Sequence, residues 1–279
     1  MNSKRDELIF LEKIRPGLAK QGQITIFVIV VILIIAIVGL FFLFRTGVFP
    51  GIGGGTKEAN VNTFLSSCIE DKIREAIEEI SLSGGKIENP LSVRFLFDED
   101  ERYYNISYLC YTSSNYIPCV NQNPLLIKNF GDEIKDYISD EVENCFNEME
   151  NNFERQNFDV NLEYNGFEVN IQPRKISAET NSKLILTKNE ETTTQENFKI
   201  EIVSRLYEIL GVVQEIANQE AEFCNFNLDG FMLTYPKFKT EKWSLDDEGL
   251  IYTVKYRDTG EKFRFAIRSC FIPTGITPN

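Results

Sequence analysis

The hydrophobic residues of this 279-residue chain follow one pattern before residue 45 and another after residue 59. From Ile24 to Phe44 they form an unbroken apolar run, in which Thr25 is the single polar side chain. A helix of this length, at about 1.5 Å per residue, crosses the ~30 Å hydrocarbon layer of a membrane. The run therefore predicts one membrane-spanning helix over 24–44.

Beyond residue 59 the pattern changes to short segments with helical or strand periodicity. Apolar residues at three- and four-residue steps predict amphipathic helices from about Asn60 to Ser83, over 131–156 and from about Val203 to Phe223. Between them, strands are expected at Leu91–Phe97, Arg102–Leu109, Phe158–Tyr164, Phe167–Ile171, Leu184–Thr187, Phe198–Ile202, Gly230–Trp243, Leu250–Tyr256 and Lys262–Ser269. The predicted fold class is α+β: a single N-terminal transmembrane helix, then an ectodomain of three helices alternating with antiparallel hairpins and a closing meander.

Two local features refine the predicted strands. Alternating residues on both sides of Asn165-Gly166 predict a hairpin with a type I′ turn at that dipeptide. The segment Lys188–Glu196 is too polar for a buried position, and it is interpreted as a loop between two strands.

These elements predict four regions along the chain. They are a cytoplasmic tail at 1–23, the transmembrane helix at 24–44, a glycine- and proline-rich linker at 45–59, and an extracellular α+β domain at 60–279. A division of that domain into 60–130 and 131–279 is left open. Five basic residues precede the apolar run, and basic residues stay on the cytoplasmic side. We therefore expect a cytoplasmic N-terminus and an extracellular C-terminal domain at the cell membrane.

Charge is distributed unevenly between the two parts. Residues 1–45 carry six basic and three acidic residues, a net +3, whereas the remainder carries 23 and 39, a net −16. An acidic surface excludes nucleic acid as an expected partner, because phosphate binding needs basic residues. The simplest interpretation is an acidic surface that keeps the domain soluble, with cation or partner binding as the alternative.

Residue types also limit the chemistry. The chain has no histidine, which excludes Ser-His-Asp and Cys-His catalysis and removes the commonest metal ligand. The four carboxylates of Asp98–Glu101 lack the spacing and the glycine of an EF-hand loop, so a solvated turn is favoured over a calcium site. We predict a protein that is not an enzyme, and we nominate no catalytic, cofactor-binding or metal-binding residue.

The cysteines all follow the apolar run, and their number is even, which suggests disulfides formed outside the cell. Fifteen pairings are possible, and free buried cysteines are the alternative. We favour a short closed loop between Cys110 and Cys119, a bond between two similar helices that pack side by side, and a bond from the third helix to the last strand. The six residues in those pairs are Cys110 with Cys119, Cys68 with Cys145, and Cys224 with Cys270.

Asn105-Ile106-Ser107 is an N-x-S triplet, so Asn105 is a candidate for glycosylation.

The segment Lys20–Phe27, KQGQITIF, opening a long apolar run resembles the start of a family of archaeal membrane-anchored ectodomain proteins. Further matches, in the same order, are the Cys68 helix closing on Gly84-Gly85, Tyr116-Ile117-Pro118, the Cys145 helix and the ending Phe263–Arg268. The resemblance implies a location and a lineage, and no activity.

The same opening is similar to archaeal class III, type IV pilin-like signals. Such signals are cleaved by a dedicated peptidase between a glycine and a glutamine, here Gly22 and Gln23. The apolar helix that remains then packs into a filament. The pattern carries a Glu where this chain has Phe27, and the linker around Pro50 interrupts the stiff helix of a filament subunit.

Three functional hypotheses arise from these observations. The first is a single-pass cell-surface protein whose disulfide-braced acidic ectodomain has a binding or structural role at the envelope, with an unknown envelope or surface protein as partner. The second is a pilin-like filament subunit processed after Gly22. The third is an extracytoplasmic hydrolase that uses carboxylates. The first also allows a homo-oligomer formed through the transmembrane helix.

Overall fold

The computed structural model describes residues 29–35, 57–245 and 249–270, the side chains of 57–60 excepted. The chain divides between Gly55 and Thr56 into two compact units. In the first unit, residues 29–35 are helical and their apolar side chains are exposed.

The predicted fold, one membrane-spanning helix followed by three further helices, is wrong as stated. Among the described residues, no helix has both the length and the apolar character that crossing a membrane requires. Of the predicted span 24–44, residues 29–35 are described and the others lie outside the described residues. Over its described ranges the second unit has five helices instead of three, although its α+β class agrees with the prediction.

The second unit alternates helices and strands along the chain. Its elements are α1 (Lys57–Leu82), β1 (Ser92–Phe95), β2 (Tyr104–Tyr111), β3 (Val120–Asn121), α2 (Leu126–Tyr137), α3 (Ser139–Arg155), β4 (Asp159–Gln172), β5 (Lys175–Lys188), β6 (Glu191–Glu196), β7 (Lys199–Val203), α4 (Leu206–Phe223), α5 (Leu228–Thr234), β8 (Phe238–Ser244), β9 (Leu250–Tyr256) and β10 (Lys262–Arg268).

The described strands form two separate sheets. The first has the order β1-β2-β10-β9-β8, and β3 pairs with the end of β2. Within it β8, β9 and β10 form the expected antiparallel meander, whereas β10 runs parallel to β2, a pairing that the predicted hairpins did not include. The second sheet has the order β4-β5-β6, and β7 pairs with β5 beyond β6. A parallel pair needs a long crossover, and here most of the unit lies between its two strands.

One hydrophobic cluster joins both sheets to the helices. Helix α1 contacts β10 of the first sheet and β7 of the second, and α4 contacts β9, β10 and β4. The apolar stripe of α1 is buried along its length, as Leu65, Ile73 and Ile80 show. Both sheets bury one face against the same helices. The cluster therefore contains residues from nearly the whole unit, from Val61 in α1 to Ile267 in β10.

The predicted helix over 131–156 is two helices. Helix α2 ends at Tyr137 and α3 begins at Ser139, with Ile138 at φ −109° and ψ 11° between them. Ile138 is buried, and the two acidic residues after Ser139 stand in the first turn of α3, where they complement the helix dipole. Periodicity alone did not distinguish a bend from a continuous helix.

The predicted hairpin at Asn165-Gly166 is also wrong. Strand β4 continues through the dipeptide and pairs with β5 from Asp159 to Gln172, with a β-bulge between Tyr164 and Phe167. Gly166 has φ +90°, the left-handed backbone that such a bulge uses. The extra residue in the bulge keeps the apolar residues before and after it on the same face of the strand. Because a bulge and a turn both interrupt the alternation of apolar and polar residues, the sequence did not distinguish them.

The polar segment Lys188–Glu196, interpreted as a loop, contains a strand. Asn189 and Glu190 have φ values of 52° and 68°, the left-handed pair of a type I′ turn, and β6 then returns along β5. Most of β6 is exposed, so its polarity is consistent with its position.

The predicted strand over Gly230–Trp243 is wrong at its start, which helix α5 occupies. The Asn227 side chain caps this helix by accepting a hydrogen bond from Gly230 N at 3.0 Å.

Candidate functional site

Disulfide bonds are confirmed, and the structure forms the three favoured pairs. Cys68 of α1 and Cys145 of α3 meet where these helices pack side by side, with their Cα atoms 6.0 Å apart. The described residues include no free cysteine. The bond therefore joins two helices whose cysteines stand 77 residues apart in sequence.

The other two disulfides lie close to each other at one end of the first sheet. Cys110 and Cys119 close the loop between β2 and β3, and Cys224 ties the end of α4 to Cys270 after β10. The backbone N–H of Cys270 donates to the carbonyl oxygen of Ile117 at 3.0 Å, which connects Cys270 to the loop that the Cys110–Cys119 bond closes.

An exposed set of uncharged residues lies beside these two disulfides. We define the neutral surface as residues 113–118, Val120 and Phe223. Its large side chains are open to solvent, with exposed fractions of 53% for Tyr116, 48% for Ile117, 67% for Val120 and 64% for Phe223. No charged residue occurs from Tyr103 to Ile127, although the unit carries a net charge of −16. An exposed apolar patch without charge is typical of a site of protein interaction.

Hydrogen bonds fix the loop of the neutral surface against the rest of the fold. The N–H of Cys119 donates to Ser269 Oγ at 3.1 Å, and the side chain of Asn121 donates to that of Asn218 on α4 at 3.0 Å. Arg268 donates from Nη1 to the carbonyl oxygen of Thr112 at the base of the loop. With the disulfide, these bonds hold the exposed side chains on a preorganised loop.

A buried polar pair lies beneath the neutral surface. Tyr252 of β9 donates its hydroxyl to Glu220 Oε1 at 2.5 Å, and Lys242 Nζ lies 3.8 Å from the same oxygen. Burial, followed by the Glu220 carboxylate, raises the pKa of the Tyr252 phenol. Ser269 Oγ donates to the Glu220 carbonyl oxygen at 3.0 Å, which connects this pair to the Cys119 contact. The pair fixes α4 to the first sheet.

A second candidate is a cleft of about 310 Å³ between α1, the end of β7 and the β9–β10 turn. Its floor is apolar, and Arg74, Glu78 and Lys262 supply charges of both signs. Ser81 lies on its wall with a buried hydroxyl that has no hydrogen-bond partner among the described residues. A cavity of this size admits a small ligand.

The other carboxylate of this cleft has a structural role. Glu261 accepts hydrogen bonds from the backbone N–H of Arg205 at 2.9 Å, from Ser204 Oγ at 2.5 Å and from Thr259 Oγ1 at 2.7 Å. It therefore caps the N-terminus of α4 from a different element. Because both oxygens of Glu261 are engaged, we favour the neutral surface over the cleft as the functional site.

The acidic turn at 98–101 is partly enclosed instead of fully solvated. The guanidinium of Arg264 is buried, and its carbon lies 3.6 Å from the centre of the Phe97 ring. Its Nη1 stands 2.5 Å from Asp100 Oδ2 and its Nη2 stands 3.2 Å from Glu99 Oε1. These carboxylates compensate a buried cation, which accounts for part of the acidic run.

The remaining predicted positions have separate locations. Asn105 lies exposed on β2, opposite Arg94 of β1. Gly22 and Gln23 lie outside the described residues. In the described ranges, no group of three or more cysteine, aspartate or glutamate residues has the arrangement of a metal site.

Comparison with known proteins finds no matching family, no similar curated protein and no similar solved structure. The function of this chain is therefore inferred from its fold and from the chemistry of its surface.

The sequence identifies the cysteines beside the neutral surface but not the exposed apolar residues that compose it. Val120 and Phe223 stand about a hundred positions apart, and the Asn121–Asn218 hydrogen bond and the contacts of Cys270 bring their segments together. A signal was present in the long run without charge from Tyr103 to Ile127. Charge patterning identifies such a segment, although not its partner segments.

Proposed function

We propose that this chain is a cell-surface protein whose acidic, disulfide-braced second unit lies outside the cell and binds a protein partner through the neutral surface. The observation that carries the proposal is an exposed apolar surface without charge on a unit of net charge −16. Interfaces are depleted of charge at their centre and enriched in aromatic residues, as here at Tyr116 and Phe223.

The external location is supported by the covalent structure. Three disulfides join helices and strands around the core of the second unit, and such bonds persist in oxidising compartments. The net acidic charge favours a protein partner over nucleic acid, since phosphate groups need basic residues.

Location and orientation can be tested with the full-length chain in intact cells. One epitope is placed at the N-terminus and a second at the C-terminus, and each is probed with antibody before and after the membrane is made permeable. The proposal expects the C-terminal epitope to be stained on intact cells and the N-terminal epitope only after permeabilisation. A C-terminal epitope that stains only in permeable cells would contradict the external location.

Binding can be tested by placing a photo-crosslinking amino acid at Val120 of the full-length chain in cells. The matched control carries it at Thr194, an exposed position on β6. We expect a discrete crosslinked species from Val120 and none from Thr194. The absence of any crosslink at Val120, or the same species at both positions, would overturn binding through the neutral surface.

A further inference from the structure

The neutral surface has a chemical property that selects its occupant. A two-fold interface places the same surface of both subunits in contact, so residues near the axis face their own copies. An acidic face would then place carboxylates opposite carboxylates, and such pairs of like charges oppose association. A face without charge has no such cost.

We propose that a second copy of this chain covers the neutral surface, which makes the protein a two-fold dimer in its external unit. The inference rests on the proposed function and names the partner of the same surface. The net charge of −16 on each unit opposes association through most faces. Association through residues 113–118, Val120 and Phe223 places the contact on residues that carry no charge.

Other occupants fit this surface less well. A basic partner would gain more by contacting acidic residues, and the neutral surface offers none. A membrane with anionic headgroups would be repelled by the acidic residues of the rest of the unit. The uncharged polar residues of the surface, among them Asn115 and Ser114, supply hydrogen-bond donors and acceptors that a second copy can match.

The loop geometry supports tight association. The Cys110–Cys119 bond and the contacts of Cys119 and Cys270 hold Tyr116, Ile117 and Val120 in place before any partner arrives. A preorganised loop loses little conformational freedom on binding, so more of the contact energy contributes to affinity. Apolar and aromatic side chains at the centre with uncharged polar residues around them form the usual layout of an interface.

The central test compares two variants of the purified full-length chain by sedimentation equilibrium in mild detergent. Val120→Glu places a carboxylate on each side of the proposed axis, and Thr194→Glu adds the same charge on an exposed strand elsewhere. We expect Val120→Glu to raise the dimer dissociation constant by at least about tenfold, and Thr194→Glu to change it by less than about twofold. If the chain also associates through another region, that association is the same in both variants and does not contribute to the difference between their dissociation constants. Equal changes in the dissociation constant for Val120→Glu and Thr194→Glu would overturn the inference.

Salt provides an independent readout on the unmodified chain. Because the proposed contact is neutral and the rest of the unit is acidic, screening removes repulsion and leaves the contact intact. We expect the dissociation constant to fall as sodium chloride rises from about 50 mM to about 500 mM. A dimer that weakens with salt, or a monomer under all conditions, would overturn the inference.

Crosslinking at Val120 separates this inference from the proposed function. A species with twice the mass of the chain, which contains only this chain by mass spectrometry, supports the dimer. A species that contains a different protein overturns the dimer and leaves the proposed function in place. The absence of a crosslink overturns both. This measurement does not depend on Val120→Glu folding correctly.

Discussion

Gly84 shows how strongly a single backbone position can constrain the fold. It follows α1 with φ +80°, and a Cβ atom there would stand 2.7 Å from the backbone nitrogen of Ser107 on β2. The backbone of Ser107 is held in place, because its N–H donates to the Ser83 carbonyl oxygen at 3.1 Å. The end of α1 therefore approaches the first sheet as closely as glycine permits.

We predict that Gly84→Ala lowers the free energy of unfolding by about 2 kcal/mol or more, through a left-handed backbone and a close contact together. The measurement is urea denaturation of the oxidised chain followed by circular dichroism. Gly211→Ala is the matched control, because Gly211 is exposed in α4 and its added Cβ would meet no atom within 4 Å beyond the local backbone of its own helix. That control should raise stability by about 0.5–1 kcal/mol, and equal effects of the two changes would contradict this account.

The Tyr252–Glu220 pair predicts a dependence of stability on alkaline pH. A phenol with a raised folded-state pKa contributes stability that is complete below the unfolded pKa of about 10 and is lost as pH rises toward the folded pKa. Tyr164, whose pKa burial and Glu143 raise to about 12, acts in the same direction. The stability of the chain should therefore decline above about pH 10.

Tyr252→Phe isolates one of these groups. At pH 8 we expect the variant to be less stable by about 1–3 kcal/mol, because the buried Glu220 carboxylate loses its donor. Above about pH 10 the difference in unfolding free energy between the variant and the unmodified chain should become smaller, because only the unmodified chain has the phenol with the raised pKa. The measurement is the denaturation midpoint of both proteins between pH 8 and pH 11. A difference between the two midpoints that stays constant over this range would contradict a raised pKa of Tyr252.

At the scale of elements, the turn between β5 and β6 contains a correctable strain. Both central residues, Asn189 and Glu190, have positive φ, and type I′ turns prefer glycine at the second of these positions. Glu190→Gly should therefore raise the free energy of unfolding by about 0.5 kcal/mol. Thr194→Gly on the neighbouring strand should lower it by about 0.5–1 kcal/mol, and thermal melts of both variants provide the comparison.

The second sheet also shows why local patterns were ambiguous at this scale. The phase shift around Gly166 is consistent with a hairpin or with a bulge, and the pairing of β4 along the full length of β5 selects the bulge. In the same way, the polar residues of β6 indicate exposure correctly, but exposure does not distinguish an edge strand from a loop. Pairing partners, which local periodicity does not contain, decide both cases.

At the scale of the whole molecule, the disulfides constrain loops of very different length. Their cysteines are separated by 77, 46 and 9 residues for Cys68–Cys145, Cys224–Cys270 and Cys110–Cys119. Loop-closure entropy assigns to them about 4.5, about 4 and about 2.6 kcal/mol of stabilisation, respectively. The longest loop should therefore contribute most.

Pairwise replacement by serine tests this order. We predict the largest loss of unfolding free energy for Cys68→Ser with Cys145→Ser, and the smallest for Cys110→Ser with Cys119→Ser, measured by denaturation under non-reducing conditions. If the short-loop variant lost most, packing around that buried pair would outweigh chain entropy. The same short-loop variant should also weaken the proposed dimer, because it releases the loop that presents Val120.

The favoured cysteine pairs needed one further expectation, that the helices of Cys68 and Cys145 pack side by side, which the structure confirms. The amino-acid sequence by itself was enough for the α+β class of the second unit, the approximate position of its long helices and its acidic charge. These follow from periodicity and composition, which record whether each residue faces water or the interior. Tertiary structure alone decided the parallel pairing of β2 with β10, the cap that Glu261 places on α4, and the neutral surface. Each of these joins segments far apart in sequence, and contacts between distant segments depend on how the whole chain packs.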